Sequence, residues 1–346
     1  HELAFDAGTG ILTAGRLDFT ALQREHRTGA FMKGRADLKA GTADFSIEEF
    51  SADLLMANSF FPPDTVELES GKIRGKAKIA VRDQFGHFSL NAEGGVENLK
   101  GRAMNTAIPD IGMDSILEVD AAKAGAVSLK RLTADISAAG KPAGRISISG
   151  DINSETGRGE VSLNVSGIDR NVLNLAGALA GNLDFQQTDI SYEAKASLDS
   201  GFQAMTYSGK LDVSQFSILA PEVSPVATDP MNVSSRHEMS FDAAARKLTI
   251  SRMDFAASQG SREAVRGTLD KPMIMDFSSV NEQSGETPPV ALTFKVTDLD
   301  LAPLLLPLPL PDGTRLEHGR ANADVRLLVE GNGRKISLAW DKRLAG

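Results

Sequence analysis

The sequence predicts a mainly β protein in which long units repeat in tandem. Apolar and polar residues alternate through most of the chain, as they do in strands that turn one face towards an apolar environment. A segment also recurs: LTISRMDFAA at 248–257 matches LTAGRLDFTA at 12–21, and a weaker copy, VSLKRLTA, stands at 127–134. In a chain of 346 residues such a repeat favours one continuous, elongated body over separate globular domains.

Other features recur in phase with the arginines of this repeat, Arg16, Arg131 and Arg252. Downstream of each arginine an acidic residue closes an apolar run, and a further alternating segment follows. These acidic residues are Asp53, Asp169 and Asp300. The third copy is longer because it contains a hydrophilic insertion that is typical of a loop, at 278–289. We therefore predict three repeat units, 1–110, 111–230 and 231–346.

Each unit is predicted to contain strands, a hairpin and a short crossover. In the first unit, segment 76–81 places Ala77, Ile79 and Val81 on one face, and 88–92 continues the alternation after a turn. Residues 58–64 break the pattern and are predicted to form an irregular connector.

The second unit shows the alternation most clearly. Segments 145–150 and 160–165 form a predicted hairpin with one apolar face. The period then changes at 168–181, where apolar residues recur at helical spacing before Gly181, so a helix of about three turns is predicted. Alternation returns at 189–198.

The third unit follows the same order, with strands predicted around 292–296, 321–327 and 335–340. Between the first two lies a segment rich in leucine and proline, 301–311. Because proline cannot donate to a sheet ladder, this segment is predicted to leave the sheet and cross between strands.

The strands are one-sided, so their apolar face must contact a second sheet, the same sheet curled over, or a ligand. Only 5% of the residues are aromatic, and alanine holds many inward positions, which disfavours a thick sandwich core. The predicted fold is therefore a curved, twisted antiparallel sheet, an elongated tandem-repeat β-groove whose units are joined by short helices or irregular crossovers. The alternative is a β-sandwich or β-solenoid.

Composition excludes several classes of function. The absence of cysteine excludes disulfides, thiolate zinc sites and a cysteine nucleophile. A net charge of −9, with both signs interspersed, argues against a nucleic-acid surface. The chain opens at His1 without a starting Met or a signal peptide, which predicts a fragment or a processed chain. Segment 301–311 is too short to span a bilayer as a helix.

No catalytic site or cofactor site is predicted. The five histidines are far apart and stand in polar sequence surroundings; His237 begins a pattern like that of zinc proteases but lacks the second histidine. No Gly-x-Ser-x-Gly elbow or phosphate loop is found. The recurring arginine is interpreted as a strand-edge charge in preference to a headgroup ligand. The prediction is that the protein is not an enzyme and uses no metal or cofactor.

Amphipathic strands in long tandem units, with phrases such as GDIN at 150–153, SGID at 166–169 and TDLDL at 297–301 before a leucine-rich crossover, resemble the AsmA-like and TamB-like proteins of Gram-negative envelopes. The resemblance covers most of the chain. It implies a periplasmic half-pipe with an apolar lining, an inner-membrane anchor in the full-length protein outside this sequence, and conduction of phospholipid towards the outer membrane. It implies no catalytic residues.

The resulting prediction is a non-enzymatic periplasmic conduit that binds the acyl chains of phospholipid or another acyl lipid in an apolar groove between inner and outer membrane. Envelope proteins are the further partners expected, and nucleic acid is not. The alternative is a scaffold or assembly factor for envelope and outer-membrane proteins, with a sealed β core and no lipid. The groove is predicted to be lined by Ile146, Ile148, Val161, Leu163, Val165, Ile190, Tyr192, Ala194, Leu198, Leu292, Phe294, Val296, Val325 and Leu327. Leucines of the proline-rich crossover are predicted either to plug the apolar face or to form a lid: Leu304, Leu305, Leu306 and Leu308.

Overall fold

A computed structural model of the chain describes residues 2–23, 26–62, 65–103, 106–179, 183–199, 201–219, 227–269, 271–278, 290–300, 320–330 and 335–345. The protein is mainly β with antiparallel strands and two short helices among these residues, which confirms the predicted class and is consistent with a curved β-groove. Residue contacts divide the chain into two compact units, which we call unit 1 (His1–Gly181) and unit 2 (Asn182–Gly346).

Unit 1 contains ten strands, one 3₁₀ helix and one α-helix in its described part. They are β1 (Glu2–Asp6), β2 (Ile11–Gln23), β3 (His26–Asp37), β4 (Thr42–Asp53), η1 (Leu54–Phe60), β5 (Val66–Arg82), β6 (His87–Ala103), β7 (Thr106–Ala122), β8 (Ala126–Ala138), β9 (Lys141–Asn153), β10 (Arg158–Asp169) and α1 (Arg170–Leu179). Each strand from β1 to β9 pairs antiparallel with the next in the chain.

Unit 2 follows the same meander. Its strands are β11 (Asp184–Phe185), β12 (Asp189–Asp199), β13 (Ala204–Phe216), β14 (Ile218–Leu219), β15 (Met231–Asp242), β16 (Lys247–Gln259), β17 (Arg262–Leu269), β18 (Met273–Asp276), β19 (Val290–Asp300), β20 (Arg320–Glu330) and β21 (Lys335–Ala345). β12, β13, β15, β16, β17, β19, β20 and β21 pair in that order, β18 also pairs with β16, and β11 pairs with β14.

The predicted elements are recognisable in this order. The hairpins at 76–92 and 145–165 are β5–β6 and β9–β10, and the helix predicted at 168–181 is α1. The connector predicted as irregular at 58–64 overlaps η1, which begins earlier, at Leu54. The proline-rich crossover and most of the predicted insertion at 278–289 lie outside the described residues.

The recurring arginine marks a β-bulge that occurs three times. Arg16 lies opposite Glu2, Arg131 opposite Glu118, and Arg252 opposite Glu238. In each pair the register then shifts, so that the residue before the arginine has no direct partner. A bulge re-aims side chains and increases local twist, and this one explains why the sequence repeats here. The unit boundaries 1–110, 111–230 and 231–346 stay a prediction.

The acidic residues that recur in phase with the arginine cap helices in two of the three copies. Asp53 accepts a hydrogen bond from the Leu55 amide at 2.9 Å at the start of η1. Asp169 accepts from the amides of Asn171, at 2.9 Å, and Val172, at 3.4 Å, at the start of α1. Aspartate at this position satisfies amides that have no partner within the helix. Asp300 ends β19, and the residues after it are outside the described part.

Removing the cap of α1 is expected to lower stability. Asp169→Ala should reduce the free energy of unfolding by about 1 kcal/mol, because two helix amides lose their acceptor. Asp169→Asn is the matched control, since asparagine caps about as well as aspartate. Urea denaturation followed by circular dichroism measures both. An equal loss for Asn and Ala would show that the charge matters and the cap hydrogen bond does not.

Candidate lipid-binding face

The apolar side of the unit 1 sheet is continuous across its strands. Residues that lie directly opposite each other in an antiparallel pair share a face, so a row can be followed from strand to strand through the register. One row crosses all ten strands without a polar side chain: Leu3, Ala14, Gly34, Phe45, Ile79, Leu90, Val119, Leu129, Gly150 and Val161.

The rows on either side of it are also apolar throughout. One runs from β2 to β10 through Leu17, Met32, Ile47, Ala77, Ala92, Leu117, Leu132, Ile148 and Leu163. The other runs from β1 to β10 through Phe5, Leu12, Ala36, Ala43, Val81, Phe88, Ala121, Val127, Ile152 and Gly159. We call these three rows the apolar face of unit 1.

Five of the predicted lining residues lie in unit 1, and all of them belong to this face or to the row beside it. Ile148 lies opposite Leu163, and Ile146 lies opposite Val165 in the adjacent row. All five predicted side chains, Val161 included, are half-buried. The sequence alternation therefore placed them together correctly, while their role in binding lipid stays a prediction.

The apolar face is shielded without being sealed. The buried residues in its three rows are small, Ala14, Ala36 and Ala43, whereas larger ones such as Ile79 and Leu90 are half-buried. Phe88 and Val127 are exposed. In a packed protein interior large side chains have close neighbours on all sides. Here the larger side chains keep part of their surface accessible, which leaves room for a ligand.

Two helices cover one end of this side of the sheet. α1 packs against β6, β7, β9 and β10, and its Val172 and Leu175 contact a cluster formed by Ile111, Ala138 and Ala143. Ala143 is only 1% exposed, so this end is a true core. η1 packs against β5, where a Cβ at Gly71 would lie 3.0 Å from the Leu54 side chain. The residues that pack with α1 in this cluster lie outside the three apolar rows.

The opposite side of the unit 1 sheet is charged. Lys33 pairs with Glu48 at 3.0 Å, and Lys76 pairs with Glu93 at 2.8 Å. The hydrogen bond from Lys76 lowers the pKa of Glu93. Exposed pairs of this kind add little stability, but they keep this face in water. The two faces of the sheet are therefore chemically distinct.

The recurring arginines also have acidic partners. Arg16 pairs with Asp18 at 2.9 Å, Arg131 with Glu118, and Arg252 with both Asp254 and Glu238. The Arg16 guanidinium also lies 4.3 Å from the centre of the Phe31 ring, beside a cavity of about 900 Å³ on the charged side. Since their charges are compensated locally, these arginines are disfavoured as headgroup ligands. The strand-edge interpretation is wrong as well, because β2, β8 and β16 are each paired on both sides.

Unit 2 has an apolar side of its own. A row without a polar side chain runs through Ile190, Val213, Val233, Ala257, Val265 and Val296. Tyr192, Ala194 and Leu198 share the face of Ile190 because they alternate with it along β12. The predicted lining residues of β12 thus lie together, and Val296 of β19 shares their row.

Four predicted lining residues can be placed only by backbone register. Phe294 lies opposite Gly267 and Val325, and Leu292 lies opposite Leu269 and Leu327. Their side chains are outside the described part of the chain. The predicted lid or plug, Leu304, Leu305, Leu306 and Leu308, is outside it as well.

One site on the unit 2 face was missed by the sequence analysis. The expectation of polar surroundings for His237 is wrong, because it lies opposite Gly209 and Met253 on the apolar side of the sheet. The signal was present: His237 alternates with Val233, Met239 and Phe241, so it had to share their face.

His237 contacts the two tyrosines of the chain, and we call the three residues the Tyr–Tyr–His cluster. The Tyr192 hydroxyl lies 3.1 Å from His237 Nε2 and hydrogen-bonds to the Tyr207 hydroxyl. The His237 ring stacks on both phenol rings, with centroids 6.0 Å from that of Tyr192 and 5.5 Å from that of Tyr207. Gly209 makes room for them, since a Cβ there would lie 2.5 Å from His237 Nε2.

Burial, followed by the hydrogen bond with Tyr207, raises the pKa of Tyr192 to about 12. An unfolded tyrosine ionises near pH 10. The neutral phenol is therefore favoured by folding, and stability from this group is complete below about pH 10 and is lost as pH rises towards 12. In the variant Tyr207→Phe, Tyr192 is the sole phenol. We expect its tyrosinate absorbance to rise at a higher pH in the folded variant than in the same variant unfolded in urea. Coincident titration curves would contradict a shifted phenol.

No metal centre or membrane-spanning helix is found in the described part of the chain. Its residues contain no group of three or more His, Cys, Asp or Glu side chains placed to hold an ion. Neither described helix has the length and apolar character needed to cross a bilayer. Comparison with protein-family models, curated proteins and solved structures gives no match.

Proposed function

We propose that this protein is a non-enzymatic lipid-binding conduit, in which acyl chains lie along the apolar faces of the sheets. The observation that supports the proposal most directly is the set of three adjacent, wholly apolar rows in unit 1, whose larger side chains are only half-buried. A soluble protein rarely leaves an apolar surface of this extent without a ligand or partner.

The mechanism requires burial of methylene groups and no covalent chemistry. Each methylene moved from water onto the apolar face contributes about 0.8 kcal/mol. An uncharged row offers no deep polar trap, so a chain can shift from one strand to the next at little cost. The charged face keeps the other side of the sheet in water, and α1 with η1 closes one end of unit 1.

The envelope setting of this function rests on the resemblance to AsmA-like proteins. A periplasmic location, phospholipid as the cargo, attachment of the full-length protein to the inner membrane and movement towards the outer membrane are parts of the same proposal. The one-sided strands and the crossover helices with their aspartate caps are the local features that support it.

Native purification followed by lipid mass spectrometry tests the proposal. The protein, expressed in a Gram-negative host and purified without detergent, should release phospholipid in stoichiometric amount on organic extraction. A sealed β scaffold would release none, and that result would overturn the conduit in favour of the assembly-factor alternative. A soluble protein of similar size purified in parallel controls for carried-over membrane.

A further inference from the structure

The Tyr–Tyr–His cluster has one more hydrogen-bond donor than its internal contacts use. Two phenol O–H groups and one N–H of a neutral imidazole make three donors. The cluster contains two internal hydrogen bonds, Tyr192 to Tyr207 and Tyr192 to His237. For either imidazole tautomer, therefore, one donor remains for an external acceptor. Within the described residues of the chain, no protein group accepts from it.

The surroundings of the cluster are apolar except for Ser235, which lies beside His237 on β15. On the same face Tyr192 lies opposite Leu211, Tyr207 opposite Met239, and His237 opposite Met253. Ala194 and Met205 flank it along their strands. A ligand whose acceptor binds the free donor would therefore have apolar side chains of the protein on both sides of that acceptor.

The charge of the site decides what kind of acceptor fits. The nearest basic side chains in sequence, Lys210 and Arg236, lie on the opposite face because they alternate with Gly209 and His237. Within the described residues, the positions of this face that adjoin the cluster are uncharged. Holding an anion against apolar side chains without a cation is costly, whereas a neutral carbonyl oxygen needs only the one donor.

We propose that the Tyr–Tyr–His cluster binds the ester carbonyl oxygen of an acyl lipid, at the junction between its headgroup and its acyl chain. This rests on the proposed function, which supplies the acyl chain, and adds to it a fixed point for the lipid. The face of unit 1 has no corresponding polar group in its three rows. In unit 2 the cluster sets where along its chain a lipid stops.

Two probes of equal chain length distinguish binding of the ester group from binding of the hydrocarbon chain. Methyl palmitate carries both, and hexadecane carries the chain alone. Their affinities are measured by displacement of ANS, a dye whose emission rises in apolar surroundings, from wild-type protein and from the variant Tyr192→Phe/Tyr207→Phe/His237→Phe. All three donors must be removed together, because any single replacement leaves a donor free. Apolar replacement of a whole hydrogen-bonded set is often nearly neutral for folding.

The expected result is a change of selectivity. The ratio of methyl palmitate affinity to hexadecane affinity should fall about tenfold in the triple variant, the worth of one hydrogen bond to the ligand. Ser235→Ala is the matched control, because Ser235 is a polar residue on the same face that contacts neither tyrosine hydroxyl. Its ratio should equal that of the wild type.

A second readout uses the wild-type protein directly. The chain has only two tyrosines, both in the cluster, so selective ¹³Cζ-tyrosine labelling gives two signals from this site alone. Methyl palmitate should shift them more than hexadecane does, and inorganic phosphate should not shift them. A shift caused by phosphate alone would overturn the ester assignment in favour of an anion site.

The remaining outcomes distinguish the two proposals. If hexadecane binds and the selectivity ratio is the same in wild type and triple variant, the cluster does not bind the ester, although the apolar conduit stands. If neither probe displaces ANS from the wild type, the proposed function itself fails. Gly209→Ala, which crowds His237 Nε2 without removing a donor, should reduce the ratio in the same direction as the triple variant.

Discussion

Leu163→Asp is expected to abolish retention of lipid while leaving the protein folded. Leu163 is half-buried on β10, the last strand of the apolar face, opposite Ile148, and it does not belong to the cluster under α1. A carboxylate there can stay hydrated when the face is empty, but burying it under an acyl chain would be costly. Phospholipid recovered by mass spectrometry should fall to background, and the β circular-dichroism spectrum should be unchanged.

The neighbouring residue provides the control for this variant. Asn164 follows Leu163 on β10, is exposed, and lies opposite Ser147 on the charged side. Asn164→Asp adds the same charge one residue away and should retain lipid at the wild-type level. Global unfolding of Leu163→Asp would show that Leu163 is part of a sealed core. Equal lipid loss in both variants would show that net charge, and not position, controls binding.

Ile111→Ala is expected to destabilise the protein far more than Ile148→Ala. Both residues are isoleucines on the same side of the unit 1 sheet, but Ile111 is 7% exposed and belongs to the cluster under α1, whereas Ile148 is half-buried on the open face. Removing three carbons from a covered site leaves a cavity and should cost about 3 kcal/mol. At the open site the same atoms are already partly in water, so the loss should be about half as large.

The measurement is urea denaturation of lipid-free protein for the two variants and the wild type. Adding lipid should widen the difference between the wild type and Ile148→Ala, because a ligand that binds the folded state stabilises it in proportion to its affinity. Ile111→Ala should respond to lipid as the wild type does. Similar losses for the two variants without lipid would indicate that something covers Ile148 as closely as α1 covers Ile111.

The recurring arginine shows how a sequence repeat can report structure without reporting function. Its position reflects a bulge at which it faces a glutamate on the preceding strand, in β2, β8 and β16 alike. The acidic residue that follows in phase caps a crossover helix in two copies. Both features depend on local backbone geometry. This explains why the three copies share these short motifs, while the sequences of the strands between them differ.

The strands, their sidedness and α1 were predictable from sequence because they depend on local periodicity. Alternation along β9 and β10 suffices to put Ile148 and Leu163 on one face, whatever lies beyond them. The change of period at 168–181 similarly suffices for α1. In these segments the local pattern and the final fold agree.

The strand register, and which residues of the apolar side lie under a helix, were decided only by the tertiary structure. Whether a half-apolar strand meets a second layer depends on residues far away in sequence. Alternation cannot separate Ile111, which belongs to the cluster under α1, from Ile148, which does not. The Tyr–Tyr–His cluster also depends on residues far apart in sequence. Its members meet only because β12, β13 and β15 pair in one register. A slip of one residue would move a side chain to the other face of the sheet. The sequence alone determines that His237 shares a face with apolar neighbours, and pairing between distant strands determines that it meets two tyrosines there.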